Sequence, residues 1–318
     1  MEKKNKITRG FVTLATGKEK YYVLARNLLL SYRYHSHSPM PFAIICDEEN
    51  EYTALFDKVI VLDNPFYSIY DKLRLPELVP YDENIFIEPD CLAYRNLNGM
   101  WKEFKGATDF SGLGMYLSLD DENGWLRRDG LGKYKDQVKE QFQMQGGVLF
   151  LRRGKLDSFS RTCMDIYNHR DEYCFRLDNE ESIFVLSSLV HGFKPTKDWT
   201  GVFCYYPITN ITEIDIKRGI LGFTLKGFPF HSRPGIFLVH WGTLATSEEP
   251  YLSEAGKVVS LMERHTRASV FIPVRIMIER TLLFVKRTII DNMWHAIKSF
   301  VPLPVKSFLW RLLVHRNS

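Results

Sequence analysis

Short apolar runs and amphipathic stretches alternate along the first 245 residues. Phe11–Leu14, Pro41–Cys46, Lys58–Leu62 and Ile85–Ile87 are brief, largely apolar runs bounded by turn residues, the pattern of buried strands. Between the first two, Val23, Leu24, Asn27, Leu28 and Ser31 recur at steps of three and four, which predicts a helix over 23–30. Ile69–Leu78 and the amphipathic Leu156–His169 predict two more helices. Gly99–Lys105 reads as a polar helix or turn and Gly106–Leu113 as strand-like. Asp120–Gln143, rich in charge and glycine, predicts a long loop over the site, with Asp120, Asp121 and Glu122 a solvated cluster. Gln145–Phe150 is a glycine turn leading into a strand. Ser182–Leu189 is an apolar helix for which Asp178 is the expected N-cap and Glu181 the capping-box partner. Gly235–Gly242 is a strand ending at His240. Strand, turn and helix in alternation predict an α/β fold: a Rossmann-like mixed sheet flanked by helices.

Composition changes this picture little. The 318 residues are 45% hydrophobic and 25% charged, enough for a core without disulfides. The five cysteines form no CxxC pair, which predicts reduced thiols and a cytoplasmic setting. The basic start MEKKNKITRG leads into no apolar signal region, and no apolar run reaches the roughly 18–20 residues needed to span a bilayer.

Charge does change it. The net charge of +4 conceals a tail, Thr266–Ser318, with nine Lys/Arg against two acids; that segment is +7 and the remainder −3. Pro273–Phe300 and Lys306–Arg316 mix basic, aromatic and apolar residues, which predicts a basic helical appendage over 266–318 lying on an anionic membrane surface. Peripheral attachment at the inner face of the cell membrane is the corresponding location. Packing onto the body or an oligomer contact is the alternative. No nucleic-acid motif accompanies the basic residues.

The candidate chemistry centres on Glu88-Pro89-Asp90, directly after the Ile85–Ile87 strand. Pro89 donates no hydrogen bond and turns the chain out of the sheet. Two carboxylates at the C-terminal edge of an α/β sheet sit where such sheets bind ligands. Their mutual repulsion would be relieved by a hard divalent cation, Mg²⁺ or Mn²⁺. A solvated acidic turn is the plain alternative. Strand, small-residue turn and helix at the start of the chain suit a nucleotide, but neither GxGxxG nor a Walker Gly-Lys-Ser/Thr is present.

The run KLRLPELVPYDENIFIEPDCLAYRNL, Lys72–Leu97, resembles the segment through the DxD motif of GT-A glycosyltransferases, above all the glycogenin-like family 8. FVTLATGKEKYY resembles that family's first strand and uridine-binding turn, QGGVLF its NxG turn, and His240-Trp241-Gly242 its metal-completing histidine turn. The resemblance implies a GT-A-like domain over about 6–256. It implies transfer of a hexose from a UDP-sugar to a glycan or lipid-linked glycan, with retention of anomeric configuration. It assigns Glu88, Asp90 and His240 to the metal, and imidazole beside two carboxylates favours Mn²⁺ over Mg²⁺. Thr13, Ala15, Thr16 and Tyr21 or Tyr22 go to the nucleoside, and Lys72 to its phosphate. Asp47, which ends the Pro41–Cys46 strand, reads equally as a contact to the ribose or base and as a solvated acidic turn. Gly146 and Gly147 approach the sugar, while Gln145, Glu180 and Glu181 face the reacting centre. The chain departs from the family pattern at Glu88, where an aspartate is usual. It departs again at Gln145, in place of asparagine, and after Gly242, where Lys-Pro-Trp is missing.

Two other functions use the same residues. One is a non-catalytic nucleotide-sugar or glycan-binding relative in which Glu88 marks a decayed metal site. The other is a metal-dependent phosphoesterase, which lacks the further Asp/His ligands of a two-metal site.

Overall fold

The computed structural model describes residues 7–196, 202–225 and 236–263, nearly all of them within the compact unit Met1–Met262. The tail expected over 266–318, and with it the membrane contact, lies outside the described residues. Among the described residues no helix is long and apolar enough to cross a membrane.

In chain order the elements are β1 (Arg9–Ala15), α1 (Glu19–His35), β2 (Phe42–Cys46), β3 (Lys58–Val61), α2 (Leu75–Leu78), β4 (Glu83–Ile87), β5 (Cys91–Ala93) and β6 (Phe110–Ser118). Then come β7 (Glu140–Arg152), α3 (Asp157–Asn168), α4 (Glu180–Val190), β8 (Phe203–Tyr205), β9 (Thr209–Asp215), β10 (Ile220–Leu225), β11 (Leu238–His240) and α5 (Tyr251–Glu263). The main sheet has the order β3-β2-β1-β4-β7-β6. The first four strands are parallel and the β4-β7-β6 edge is antiparallel. It is an α/β fold with a mixed six-stranded sheet flanked by helices.

Strand alternation divides the core in two. Val12, Leu14, Phe86 and Leu149 face Phe159, Ile166, Ile183 and Phe184 of α3 and α4. Phe11, Ala15, Ile85 and Ile87 face Leu28, Leu29 and Tyr32 of α1, and Leu238 of β11. The second face is therefore closed partly by a helix and partly by the small sheet β5-β11-β8.

Two expectations need correction. The stretch 120–143 is not all loop: β7 begins at Glu140 and pairs with the long β6 as far as Ser118. Cross-strand packing, with Phe142 and Met144 buried, outweighs the local polarity. The N-cap of α4 is Asn179, not Asp178. The Asn179 side-chain oxygen accepts from Ser182 N–H at 3.1 Å, and Asp178 instead accepts from the Tyr70 hydroxyl at 3.3 Å. A smaller difference is that Ile69–Arg74 is a 3-10 turn, with α helix only over α2.

Candidate metal and nucleotide site

The chain runs from β1 outward through β2 to β3, then returns to place β4 on the other side of β1. The strand order reverses between β1 and β4, and in open α/β sheets the crevice at that reversal is where ligands bind. A cleft opens there. Leu14, Thr16 and Tyr21 line it from the β1 side, Phe86, Glu88, Pro89 and Asp90 from the β4 side, and Tyr67–Ile69, Lys72 and Thr243 complete it.

Three segments bring charge to the β4 side. Glu88 and Asp90 come directly after β4. His240 ends β11, whose pairing with β5 sets it opposite Cys91, beside Asp90. The Trp241 N–H donates to the Asp90 carbonyl at 3.1 Å and locks that turn. His240 Nε2 lies 2.8 Å from Glu88 Oε2 and 3.3 Å from Asp90 Oδ1. One ligand atom from each of Glu88, Asp90 and His240 lies within 4.8 Å of the others. Lys72 reaches in from the turn before α2 and touches both Glu88 and Glu180, the first residue of α4. Asp90 Oδ1 is buried, with the His240 imidazole its polar neighbour among the described residues; Oδ2 accepts from the Thr243 hydroxyl at 3.2 Å.

The glycine turn supplies the floor. Gly112 of β6 pairs with Leu149, but its neighbour Leu113 pairs with Gln145, so Gly146–Val148 bulge away from β6. The bulge turns its backbone to the cluster: Gly146 N–H donates to Glu181 Oε1 at 2.6 Å, and Glu88 N–H donates to the Gly147 carbonyl at 3.0 Å. A Cβ on Gly147 would stand 2.8 Å from His240 Nδ1 and 3.3 Å from Glu88 Oε2. Glycine is required here for close approach.

The charges hold one another in place. Burial would lower the Lys72 ammonium, but Glu88 and Glu180 outweigh it and raise its pKa. Burial would raise Glu88; the Lys72 and His240 charges pull it well below the carboxylate range instead. For His240, burial is overcome by Asp90 and Glu88, which lift it to about 10. No cation touches Glu181 among the described residues: burial, then the neighbouring Glu180 charge, push it up to about 7 against the weaker pull of Lys72. Two carboxylates and an imidazole in this array are compatible with a divalent metal ion. An ion would share Asp90 Oδ1 and replace the His240 proton. Glu88 is long enough to touch Lys72 with one oxygen and leave the other toward His240 and Asp90.

The remaining candidates divide. Thr16 and Tyr21 line the cleft. Thr13 and Ala15 do not: both are buried, on the strand face opposite Leu14, so any contact from them is through backbone. Asp47 accepts from Gly17 N–H at 3.0 Å and from the Tyr22 hydroxyl, and so braces the turn before α1. Gln145 is half-buried at the head of the bulge, with no hydrogen bond among the described residues. Sequence reasoning missed Thr243, and it missed Asp71, which is wholly buried behind the β1 wall. Asp71 precedes Lys72 in a turn whose Ser68 and Asp71 side chains form a capping box, a signal present in the sequence.

No protein-family profile matches the chain, and no curated protein matches it in sequence. Among solved structures it is similar to several glycosyltransferases. One is the galactosyltransferase LgtC in complex with donor and acceptor sugar analogues, with 13% identity, TM-score 0.48, and 79% of this chain covering 94% of that one. Another is the bifunctional glycosyltransferase WbbM, with 11% identity, TM-score 0.49, and 88% of this chain covering 53% of that one. A third is the glycosyltransferase GlyE of Streptococcus pneumoniae TIGR4, with 15% identity and TM-score 0.40. There 60% of this chain spans 45% of the GlyE chain, less than half its length. The chemistry therefore rests on the cluster's own geometry.

Proposed function

We propose that residues 6–256 form a GT-A-like, divalent-metal-dependent glycosyltransferase domain that moves a hexose from a UDP-sugar to a glycan or lipid-linked glycan. One observation carries this reading. Glu88 and Asp90 from the turn after β4 and His240 from the end of β11 converge beside the β1/β4 crevice. Glu88, Asp90 and His240 would hold the ion, which when bound supplies positive charge to a diphosphate as the bond to the sugar breaks. Lys72 adds a fixed cation and keeps Glu88 ionised. Glu181, anchored on Gly146 N–H, holds a carboxyl that exchanges a proton near neutral pH, suited to a sugar or acceptor hydroxyl. The intact grip on both Glu88 oxygens argues against a decayed site.

A panel of nucleotide sugars tested for Mn²⁺-dependent thermal stabilisation and for product is the direct test. A uridine sugar is expected to raise Tm with Mn²⁺ and to be consumed. No shift with any nucleotide sugar overturns the reading. The tail at 266–318 is proposed, on its basic and aromatic composition, to rest on an anionic membrane. Flotation with anionic liposomes should then need residues beyond Thr266, and equal flotation without them removes that part.

A further inference from the structure

The loop between β3 and the Lys72 turn is held in a costly shape. Asn64 and Tyr67 both adopt the left-handed region, with φ of 52° and 53°. Asparagine tolerates this; tyrosine does so rarely. Such outliers persist only where the surroundings over-determine them, and they cluster at functional sites.

The surroundings here are explicit. Asp71, wholly buried, accepts from Phe66 N–H at 2.6 Å, from Ser68 N–H at 3.4 Å and from the Thr16 hydroxyl at 2.8 Å. It thereby clamps the residues on both sides of Tyr67 and ties them to the end of β1. The Phe66 ring packs on Tyr167 of α3, with centroids 5.0 Å apart. With both neighbours fixed, Tyr67 has its backbone chosen for it.

What this strain presents is a ring in the open. Tyr67 is 64% exposed and makes no hydrogen bond among the described residues. Burial does not explain it, nor does any polar contact of its hydroxyl. Its ring edge rests on Gly17, where an added Cβ would come within 3.0 Å of Cδ1. Gly17 itself has φ of 78°, a conformation that glycine accepts and that leaves room for the ring. The ring lines the same cleft as Tyr21, Glu88 and Asp90.

Position selects the ligand group. The cation-binding wall is that of β4, so a diphosphate lies toward Glu88 and Asp90. Tyr67 stands on the wall of the β1–α1 turn, where the rest of a nucleotide would extend. Tyr21, on that wall, already has the Lys20 ammonium 5.6 Å from its ring centre, and Tyr22 is taken up by Asp47.

We infer that Tyr67 is a stacking platform for the base of the nucleoside diphosphate, held in place by the buried Asp71 clamp. The inference rests on the nucleotide-sugar reading and adds to it a binding residue. Every nucleobase offers a flat π face, so the platform supplies affinity and leaves discrimination between bases to polar groups.

The test compares UDP, ADP, GDP and inorganic pyrophosphate, each with Mn²⁺, by calorimetry on the full chain. Wild type should bind at least one nucleoside diphosphate more tightly than pyrophosphate. Tyr67→Gly should lose roughly ten- to a hundred-fold in nucleotide affinity and nothing for pyrophosphate. Tyr67→Phe, which keeps the ring, should restore it. The Tm of Tyr67→Gly should hold or rise, because glycine accepts the left-handed backbone without strain. Unchanged nucleotide affinity in Tyr67→Gly overturns the inference and leaves the donor reading standing. Equal losses for nucleotide and pyrophosphate, or a lowered Tm with both weakened, give the ring a merely structural role and also overturn it. If wild type binds no nucleoside diphosphate more tightly than pyrophosphate, the donor reading falls and this inference falls with it.

Discussion

Asp71 stands behind the β1 wall of the cleft and Asp90 lines its β4 wall, 0% and 5% exposed. Asp71 is met by two backbone N–H groups and a hydroxyl, all neutral, and both of its oxygens are used. Asp90 shares its surroundings with Glu88 and depends on one imidazole, 3.3 Å from Oδ1, and one hydroxyl, on Oδ2, with no backbone N–H donor to its side chain among the described residues. A carboxylate satisfied by fixed donors is a piece of architecture. A carboxylate left short of donors beside another carboxylate is suited to a cation. Residue type and burial are alike; the difference is who supplies the compensating charge.

The largest effects should separate the two aspartates by kind. Asp90→Ala should cost on the order of a thousand-fold in kcat/KM and abolish Mn²⁺-dependent stabilisation. The metal-free protein should lose less stability in urea unfolding than Asp71→Ala does, because losing the His240 partner is offset by relief of the repulsion from Glu88. Asp71→Ala should do the reverse, costing about 3 kcal/mol of stability by stranding its donors. If Asp90→Ala unfolds the metal-free protein as Asp71→Ala does, Asp90 is architecture too and the contrast is lost.

The next effect concerns Glu181, the carboxyl that no cation touches among the described residues. Its pKa is raised from 4.5 to about 7 by burial first and the Glu180 charge second. Between those values the native state keeps a proton that the unfolded chain has released, so stability falls as pH rises through that window. At about 1.4 kcal/mol per unit, the loss approaches roughly 3 kcal/mol. Urea unfolding of metal-free protein at pH 5 and pH 8 should show this slope in wild type and a flatter one in Glu181→Gln. Identical slopes would mean that Glu181 ionises normally.

Much of this was legible in the sequence, and the failures have one cause. Glu88-Pro89-Asp90 declares itself because a strand, a proline and two acids are adjacent in the chain. The parallel strands are apolar runs that no pairing partner needs to explain. His240 meets Glu88 and Asp90 in space as expected. The capping box of Ser68 and Asp71 is local and legible, but the tie from Asp71 to Thr16, 55 residues earlier, is not. The start of β7, from Glu140, reads as loop because its order comes from cross-strand contacts with β6, while its own composition is polar. Asn179 took the cap from Asp178 because Tyr70, 108 residues distant from Asp178, offered that side chain another bond. Local chemistry announces itself; partners far off in the chain do not.

The smallest effect probes how closely the floor must approach the charged wall. Gly147→Ala would place a methyl 2.8 Å from His240 Nδ1 and 3.3 Å from Glu88 Oε2. His240 cannot easily recede, because the Tyr205 ring packs against it with centroids 5.0 Å apart. Gly147 cannot recede either while its carbonyl accepts from Glu88 N–H at 3.0 Å. The imidazole should therefore rotate, and Mn²⁺ affinity should fall by about ten- to a hundred-fold, the effect of disturbing a ligand's orientation. Gly146→Ala meets Glu181 Cγ and Oε1, both at 3.1 Å, and Glu180 Oε1 at 3.3 Å, and flexible carboxyl arms can yield. Its effect on metal should be small, with any loss confined to turnover. Titration of Mn²⁺ into both variants decides the matter: equal losses would place the tight contact elsewhere than at His240.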